Sequence, residues 1–203
     1  MTDKFKDTYR TETSRLKGWN YASAGYYFVT ICEKNRSPVF GNICDNMVLF
    51  TTIGRVAMEC WVEIPEHFPF VELDAFCIMP NHIHGIIIIN PGDVETQNLA
   101  SLQNDKPGNI HGILNHKTVE TQDIASLQCD GSGNKFGPQS KNLASIVRGF
   151  KIGVTKYARA NDISFEWQPR YYDRIIRDER ELFEVRNYIR NNPVEWASDE
   201  YAV

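Results

Sequence analysis

The sequence predicts an α+β fold in which a mainly antiparallel sheet carries helices packed on one of its faces. Segments typical of strands and amphipathic helices follow one another in the order strand, helix, hairpin, helix, strand, helix. The chain has 203 residues, which suits one domain. Its hydrophobic fraction of 42% is that of a globular protein with a real core.

The first half of the chain predicts a strand, a small hairpin and a helix. Residues 25–35, GYYFVTICEKN, are rich in aromatic and β-branched side chains, and residues 37–50 are typical of a short hairpin. A helix then begins after Thr51 or Thr52, either of which can cap it, and continues to about His67. Its apolar positions recur at three- and four-residue steps and should lie on the sheet: Ile53, Val56, Ala57, Cys60, Trp61 and Ile64.

A second hairpin carries two histidines into a run of isoleucines. Residues 70–79, FVELDAFCIM, alternate through Val71, Leu73, Ala75, Cys77 and Met79, and Pro80-Asn81 supplies a turn into HIHGIIIIN. The two-residue repeat of a strand places His82 and His84 on one face with Ile86 and Ile88. The other face carries Ile83, Ile87 and Ile89, so both faces are apolar and the strand is central in the sheet.

Residues 91–140 interrupt this regular pattern with polar and glycine-rich sequence. Within them VETQNLASLQ (94–103) returns as VETQDIASLQ (119–128), a period of 25 residues. Two copies are too few for a solenoid, which needs about three repeats to share a core. We interpret residues 1–203 as a single domain with a repeat-bearing surface insertion at about 91–140 that contributes nothing to the chemistry.

Regular structure returns after the insertion. Residues 142–160 form an amphipathic helix, residues 164–177 contain a strand, and residues 179–191 form the last helix. Asp178 with Glu181 resembles a capping box for this helix. The proline that follows Asn192 terminates it.

Charge and cysteine content limit the classes of protein to consider. The formal charge is −4, which argues against a nucleic-acid partner, but residues 141–190 hold eleven Lys/Arg against seven Asp/Glu. Five scattered cysteines form no CxxC pair, which favours reduced thiols. No apolar run approaches the roughly 20 residues of a membrane span, and the N-terminus lacks the apolar centre of a signal peptide. We therefore expect a cytoplasmic protein that does not associate with membranes.

The histidine pair and the last helix each allow two interpretations. A buried imidazole without a partner costs about 1–3 kcal/mol, so His82 and His84 either ligate a divalent ion or are satisfied core histidines. Tyr188 and Asn192 lie four residues apart on one face of the last helix, at the edge of its apolar stripe. Each could have a catalytic role or be an amphipathic residue at the border of the core.

Together these segments resemble the REP-associated tyrosine transposases, a branch of the HUH endonucleases that use one tyrosine. The resemblance is carried by RLKGWNYASAGYYFVTICEKNR, MPNHIHGIIII, WQPRYYDRIIRDERE and VRNYIRNNPVEW, and it covers nearly the whole chain apart from the insertion. One departure is that relatives often have a second histidine-containing pattern after the WQ motif, where this chain has YYDRIIR. The resemblance implies a ferredoxin-like or RRM-like HUH sandwich.

The resemblance also implies a metal-dependent endonuclease and strand transferase that acts on single-stranded DNA with a REP-like hairpin. His82, His84 and Asn192 would hold Mg²⁺ or Mn²⁺, with Asn191 as the competing third ligand because a residue before proline is biased away from helical dihedrals. Tyr188 would be the nucleophile, forming a 5′-phosphotyrosine adduct and a free 3′-hydroxyl. Relatives include monomers and dimers, so a homodimer stays open.

Candidate DNA contacts follow from charge and aromatic content. Cationic side chains after the insertion could bind phosphates, and aromatic side chains near them could stack on unpaired bases. The alternative for these residues is a solvated helix face or the core. The phosphate contacts are Arg148, Lys151, Arg170, Arg174 and Arg177, the stacking platforms are Trp167, Tyr171 and Tyr172, and the resemblance adds Arg15 and Lys17.

Two other functions compete with this interpretation. The chain could be a hairpin-binding protein of the same fold that is catalytically inactive, for example because the insertion displaces one wall of the site. It could also be an unrelated hydrolase in which His82 and His84 hold zinc, but this leaves the Tyr188 helix unexplained.

Overall fold

The computed structural model describes residues 4–5, 8–9, 15–16, 18–91, 141–199 and 201–202. Nearly all of the insertion expected at 91–140 lies outside the described residues, as does Lys17. A 3₁₀ turn, Trp196–Ser198, lies in the segment after the last helix. The strands are β1 (Lys4–Phe5), β2 (Thr8–Tyr9), β3 (Gly25–Cys32), β4 (Gly41–Cys44), β5 (Met47–Phe50), β6 (Val71–Ile78), β7 (His82–Ile89) and β8 (Tyr172–Ile176), and the helices are α1 (Thr52–Val62), α2 (Ile64–His67), α3 (Leu143–Ala160) and α4 (Glu179–Asn191).

Four strands form one antiparallel sheet in the order β6-β7-β3-β8. With α1 between β3 and β6 and α3 between β7 and β8, the connectivity is the βαββαβ pattern of a ferredoxin-like fold. The predicted α+β class is therefore confirmed. The histidine strand β7 is central, as its apolar faces predict, while β6 and β8 are the edges.

Two smaller strand pairs lie outside this sheet. β1 pairs with β2, and β4 pairs with β5 through a two-residue turn. Asp45 and Asn46 in that turn have φ angles of 50° and 61°, which are the positive values that a type I′ hairpin requires. The hairpin predicted at residues 37–50 is thus present.

The larger core lies between α1, α3 and one face of the sheet. Trp61 of α1 is fully buried against Phe150 of α3, with ring centroids 5.3 Å apart. Its indole lies directly over Gly85 of β7, where an added Cβ would come within 2.2 Å of Cζ2. Glycine at this position is therefore required by the close approach of the helix to the sheet. The buried residues of β7 on this face are Ile83, Ile87 and Ile89.

A smaller core lies on the opposite face, beneath α4. Leu182, Val185 and Ile189 of α4 pack on Ile86 of β7 and on Phe28 and Ile176. The prediction that all helices lie on one face is wrong for α4. The physical reason is the alternation along β7, which gives the second face its own apolar residues for the α4 stripe to cover.

An irregularity in β6 corrects a second expectation. Its register against β7 shifts between Leu73 and Phe76. As a result Leu73 and Phe76 pack with the larger core, while Ala75 and Cys77 pack with the smaller one. The alternation predicted through residues 71–79 therefore changes face halfway, as an extra residue in a strand demands.

Helix ends follow local chemistry. Thr51 caps α1 by accepting a hydrogen bond from the N–H of Gly54, and Asp178 caps α4 by accepting from the N–H of Glu181. The helix predicted to continue to His67 instead stops at Val62, and α2 follows with Pro65 in its first turn, since proline cannot donate the hydrogen bond that would continue α1.

Among the described residues, no helix combines the length and apolar character needed to cross a membrane.

Candidate active site

His82 and His84 lie side by side on the face of β7 that α4 partly covers. Both are buried, and their Nε2 atoms are 2.9 Å apart. In the register with β3, Cys32 lies opposite His82 and Thr30 lies opposite His84. The two-residue alternation of the strand thus places both imidazoles on the same face of the sheet, as predicted.

The hydrogen bonds around Asn81 determine which nitrogen of His82 carries the proton. The amide nitrogen of Asn81 donates to the carbonyls of Arg36 and Tyr201, at 2.9 and 2.7 Å, which fixes the orientation of the amide. Its oxygen therefore faces Nδ1 of His82 at 2.8 Å, and Nδ1 must be the donor. The lone pair of His82 is consequently on Nε2, directed at His84.

His84 is held from the other side by Thr30. The hydroxyl of Thr30 lies 2.9 Å from Nδ1 of His84, and its oxygen can accept a hydrogen bond from an Nδ1–H. In that tautomer both Nε2 lone pairs face each other across 2.9 Å, an arrangement that repels unless a cation lies between them. Ligating histidines are oriented in this way, because the second ring nitrogen is occupied by a hydrogen bond outside the metal sphere.

Both imidazoles are neutral near pH 7. Burial lowers the pKa of His82 to about 3, and the positive charge of Arg36 acts in the same direction. Burial and then the charge of His82 hold the pKa of His84 well below its ordinary value, against an opposing effect of Asp199. Since only a neutral imidazole can donate a lone pair to a metal, the environment keeps both residues in the ligand form.

α4 brings Tyr188 to the histidines. Its hydroxyl is 3.2 Å from Nε2 of His84, and the two rings meet edge to face with centroids 5.1 Å apart. The side chain is 40% exposed and opens into a pocket of about 450 Å³. That pocket is lined by Phe28, Thr30, His84, Tyr172, Arg174, Glu181, Glu184, Val185, Tyr188 and Tyr201. A partly exposed phenol beside buried imidazoles is accessible to a large substrate.

The two asparagines that compete as a third ligand differ in position. Asn192 is buried, retains helical dihedrals despite the proline that follows it, and its Oδ1 has no hydrogen-bond partner among the described residues. Asn191 is exposed. Only Asn192 therefore offers a buried oxygen that lacks a partner.

Asp199, which the sequence interpretation missed, also faces the histidines. Potential ligand atoms of His82, His84 and Asp199 all lie within 4.8 Å of one another. Two imidazole nitrogens and a carboxylate oxygen fit a divalent cation such as Mg²⁺ or Mn²⁺. Asp199 follows the last helix, where no periodicity indicates which way a side chain points, so only its acidic character was visible in the sequence.

The predicted DNA contacts fall into two groups. Arg148, Lys151, Arg170 and Tyr171 line a groove of about 460 Å³ on the outer side of α3. Tyr172 and Arg174 line the pocket of Tyr188, and Arg177 lies in an adjoining groove with them. Arg170 and Tyr171 of the first group directly precede β8, whereas Tyr172 and Arg174 of the second group lie on it.

Several of these residues make intramolecular contacts that serve the fold. The ammonium of Lys151 donates to the carbonyls of Gln168 and Arg170, at 2.9 and 2.6 Å, and burial lowers its pKa to about 8. Trp167 donates to the carbonyl of Lys151 and packs against the larger core. Both residues fix the loop before β8, and their roles in DNA binding stay predictions.

Arg15 is also engaged within the protein. Its guanidinium donates to the hydroxyl of Tyr171 at 2.7 Å and to Asp173 at 3.3 Å. It also lies over the rings of Tyr21 and Tyr171, 5.3 and 5.1 Å from their centroids. These contacts connect the N-terminal segment to β8, and the predicted contact of Arg15 with DNA is likewise untested.

The chain was compared with known proteins. No protein-family model matches it. It is 37% identical over 205 residues to an uncharacterized protein of Haemophilus influenzae, covering 100% of this chain and 99% of that protein. Among solved structures it is similar to a REP-associated tyrosine transposase bound to a REP hairpin, with a TM-score of 0.53 and 18% identity, over 92% of this chain and 74% of that one.

The two similarities support different statements. An identity of 18% shows a shared fold alone, whereas 37% identity over 100% of this chain and 99% of the relative shows common family membership. The chain therefore belongs to the family of the uncharacterized Haemophilus influenzae protein, and it has a transposase-like fold.

Proposed function

We propose that this protein is a metal-dependent endonuclease and strand transferase that cleaves single-stranded DNA beside a hairpin through a 5′-phosphotyrosine intermediate. The observation that carries the proposal is the distance of 3.2 Å between the Tyr188 hydroxyl and Nε2 of His84. These residues are 104 positions apart in the chain, and the fold brings them together within one protomer. This supports use of Tyr188 with its own histidines, without help from a second subunit.

His82 and His84 would hold Mg²⁺ or Mn²⁺ through Nε2, together with oxygen ligands. A cation bound there supplies Lewis acidity, which stabilises the charge that develops on the non-bridging oxygens of the scissile phosphate. Asn81 and Thr30 keep the two imidazoles oriented by occupying their Nδ1 atoms. Two residues compete to supply an oxygen ligand: Asn192, whose buried oxygen has no partner among the described residues, and Asp199, whose carboxylate lies beside the histidines.

Tyr188 performs the bond exchange. Its phenolic oxygen forms a bond to phosphorus while the bond from phosphorus to the 3′ oxygen breaks, and the proton lost by the phenol is balanced by one gained at the 3′-hydroxyl. The covalent ester conserves the phosphodiester bond energy. A different 3′-hydroxyl can therefore attack the phosphotyrosine and join a new strand without ATP.

The surface beside the pocket suits single-stranded DNA. Tyr172 is 45% exposed at the mouth of the pocket and offers an aromatic face to an unpaired base. Arg174, which forms an ion pair with Glu181, lines the same pocket and Arg177 the adjoining groove, where we expect the two guanidinium groups to contact phosphates. Arg148 and Arg170 line the groove outside α3, across β8, and would bind a more distant part of the hairpin substrate.

The test incubates the protein with labelled, hairpin-bearing single-stranded DNA and Mn²⁺ or Mg²⁺, followed by a denaturing gel. We expect a covalent protein–DNA adduct that is lost in Tyr188→Phe and in His82→Ala. Tyr157→Phe is the matched control, because it removes a hydroxyl from a partly buried tyrosine of α3 that does not line this pocket, and it should retain the adduct. An adduct that persists in Tyr188→Phe would contradict the proposed nucleophile.

The same experiment separates the competing functions. Tight binding of hairpin DNA with neither cleavage nor adduct, over a range of substrates, would identify a catalytically inactive binding protein. Cleavage of duplex DNA without an adduct would indicate a metal hydrolase that uses the two histidines in another way.

A further inference from the structure

The segment after α4 folds back over the histidine pair. Trp196 stacks on His82 with centroids 6.0 Å apart, and Tyr201 lies 4.6 Å from His82 and 5.9 Å from His84. The segment is anchored by the hydrogen bond of 2.7 Å from Asn81 to the Tyr201 carbonyl and by Arg36, whose guanidinium lies 4.9 Å above the Tyr201 ring. Trp196 and Tyr201, which follow the helix of Tyr188, are thereby part of the surroundings of the histidine pair.

This fold-back brings the carboxylate of Asp199 to the imidazoles. One of its oxygens accepts from the Tyr201 N–H at 2.6 Å, and the other accepts from the amide nitrogen of Asn192 at 2.8 Å. Both contacts orient the carboxylate, and its ligand atom lies within 4.8 Å of those of His82 and His84. Metal ligands are commonly held in orientation by hydrogen bonds from neighbouring residues, and Asn192 makes such a hydrogen bond to Asp199.

The chemistry of the donor set favours the carboxylate as the oxygen ligand. Mg²⁺ and Mn²⁺ prefer oxygen, and two neutral imidazoles give the site no negative charge. Asp199 supplies that charge, whereas an amide supplies only a dipole. The amide nitrogen of Asn192 already faces Asp199, which is the orientation expected of a residue that holds a ligand.

We propose that Asp199 is the anionic ligand of the divalent cation and that Asn192 is the positioning residue that orients it. This inference rests on the proposed function only for the identity of the ion. Because Asp199 lies on the segment that follows α4, cation binding and docking of that segment must stabilise each other by equal amounts. Metal affinity and the hydrogen-exchange protection of residues 194–199 are then two readouts of one equilibrium.

The experiment titrates the DNA-free full-length protein with Mn²⁺ by calorimetry. We expect Asp199→Ala and Asp199→Asn to lower the affinity at least tenfold, and Asn192→Ala to lower it by about tenfold, as the loss of a supporting residue does. In Asp199→Ala/Asn192→Ala the second substitution should add little, because Asn192 acts through Asp199. Glu195→Ala is the control, since it removes the same charge from an exposed side chain of the same segment and should bind as the wild type does.

A second measurement keeps the inference testable if a variant is unstable. Mn²⁺ should slow amide hydrogen exchange of residues 194–199 in the wild type and in Glu195→Ala, but not in Asp199→Asn. If Asp199→Ala bound Mn²⁺ with the affinity of the wild type, the assignment of Asp199 as the ligand would be overturned. If, in addition, Asn192→Ala lost most of the Mn²⁺ affinity, Asn192 would be the ligand instead. This failure is distinct from that of the proposed function, which is decided by the DNA adduct of Tyr188 and not by metal titration without DNA.

Discussion

Thr30 holds the ring of His84, which we propose as a metal ligand, through a hydrogen bond. Its hydroxyl is the partner of Nδ1 at 2.9 Å, so replacing it with valine leaves a buried ring nitrogen without its hydrogen-bond partner. We expect Thr30→Val to weaken Mn²⁺ binding by about 10- to 100-fold, the usual cost of removing such a partner. Calorimetric titration of the DNA-free protein measures this effect.

Thr30→Ser is the control for this prediction, because serine keeps the hydroxyl while removing the methyl group. Its affinity should stay close to that of the wild type. Equal affinities for the serine and valine variants would mean that His84 does not depend on Thr30 for its orientation.

Individual site residues differed in how far the sequence could predict them. The two-residue spacing of His82 and His84 specifies a shared face, and the resemblance adds Tyr188, so three side chains that the fold brings together were foreseen. Asp199 was missed because it lies in an irregular segment whose path depends on contacts with Asn81 and Arg36. Such contacts join distant parts of the chain and leave no local pattern.

Helix α4 is fastened to the sheet by an ion pair as well as by its apolar stripe. Nε of Arg186 donates to both carboxylate oxygens of Asp74, at 2.9 and 3.1 Å, at the irregular stretch of β6. Burial raises the pKa of Asp74, but hydrogen bonds from Arg186 and from the Ala75 N–H outweigh it, and the net pKa lies below 3.8. The ionised carboxylate therefore stabilises the folded state.

We expect Asp74→Asn to lower the free energy of unfolding by about 1 kcal/mol at pH 7, a value limited by the partial exposure of Arg186. A carboxyl with a lowered folded-state pKa contributes fully above its unfolded pKa and loses this contribution as the pH falls through the folded value. The difference between wild type and variant should therefore shrink below about pH 3.8.

Urea unfolding at pH 7 and near pH 3 measures this difference. Asp162→Asn removes the same charge from the loop after α3 and should show a much smaller effect at both pH values. A loss for Asp74→Asn that is equal at the two pH values would show that the ion pair is not its cause.

Packing between α1 and the sheet gives a third prediction, at Gly85. Adding a methyl group there places a carbon against the Trp61 ring, so Gly85→Ala should destabilise the protein by about 1–3 kcal/mol, as overpacking does. Trp61→Phe removes the part of the ring that clashes. In a double-mutant cycle from urea unfolding, the pair should therefore cost less than the sum of the single variants. Strict additivity would contradict the contact.

The elements themselves were largely predictable, and their faces less so. The cap at Thr51 and the turn at Asp45-Asn46 follow from short-range chemistry, and both are present. The side of the sheet on which α4 packs depends on which of two apolar faces α1 and α3 leave uncovered. That choice is made by the whole fold, so the pattern of α4 alone could not predict it.

The molecule as a whole is proposed to be one domain whose insertion is dispensable. The flanking elements β7 and α3 are both integral to the larger core. We therefore expect that replacing residues 92–140 with a short glycine-serine linker leaves the urea midpoint of the remaining protein nearly unchanged. The same variant should still form the Tyr188 adduct, which the denaturing gel tests. A folded variant that no longer binds the hairpin would instead assign DNA recognition to the insertion.

The register of β7 against β3 has a consequence for errors in folding. Since successive side chains point to opposite faces, a slip of one residue would exchange the contents of the two faces. The imidazoles would then lie under Trp61 among the core side chains without acceptors, and the isoleucines would line the pocket. The two histidines would therefore destabilise a misaligned sheet, in addition to the metal-binding role that we propose for them in the correct one.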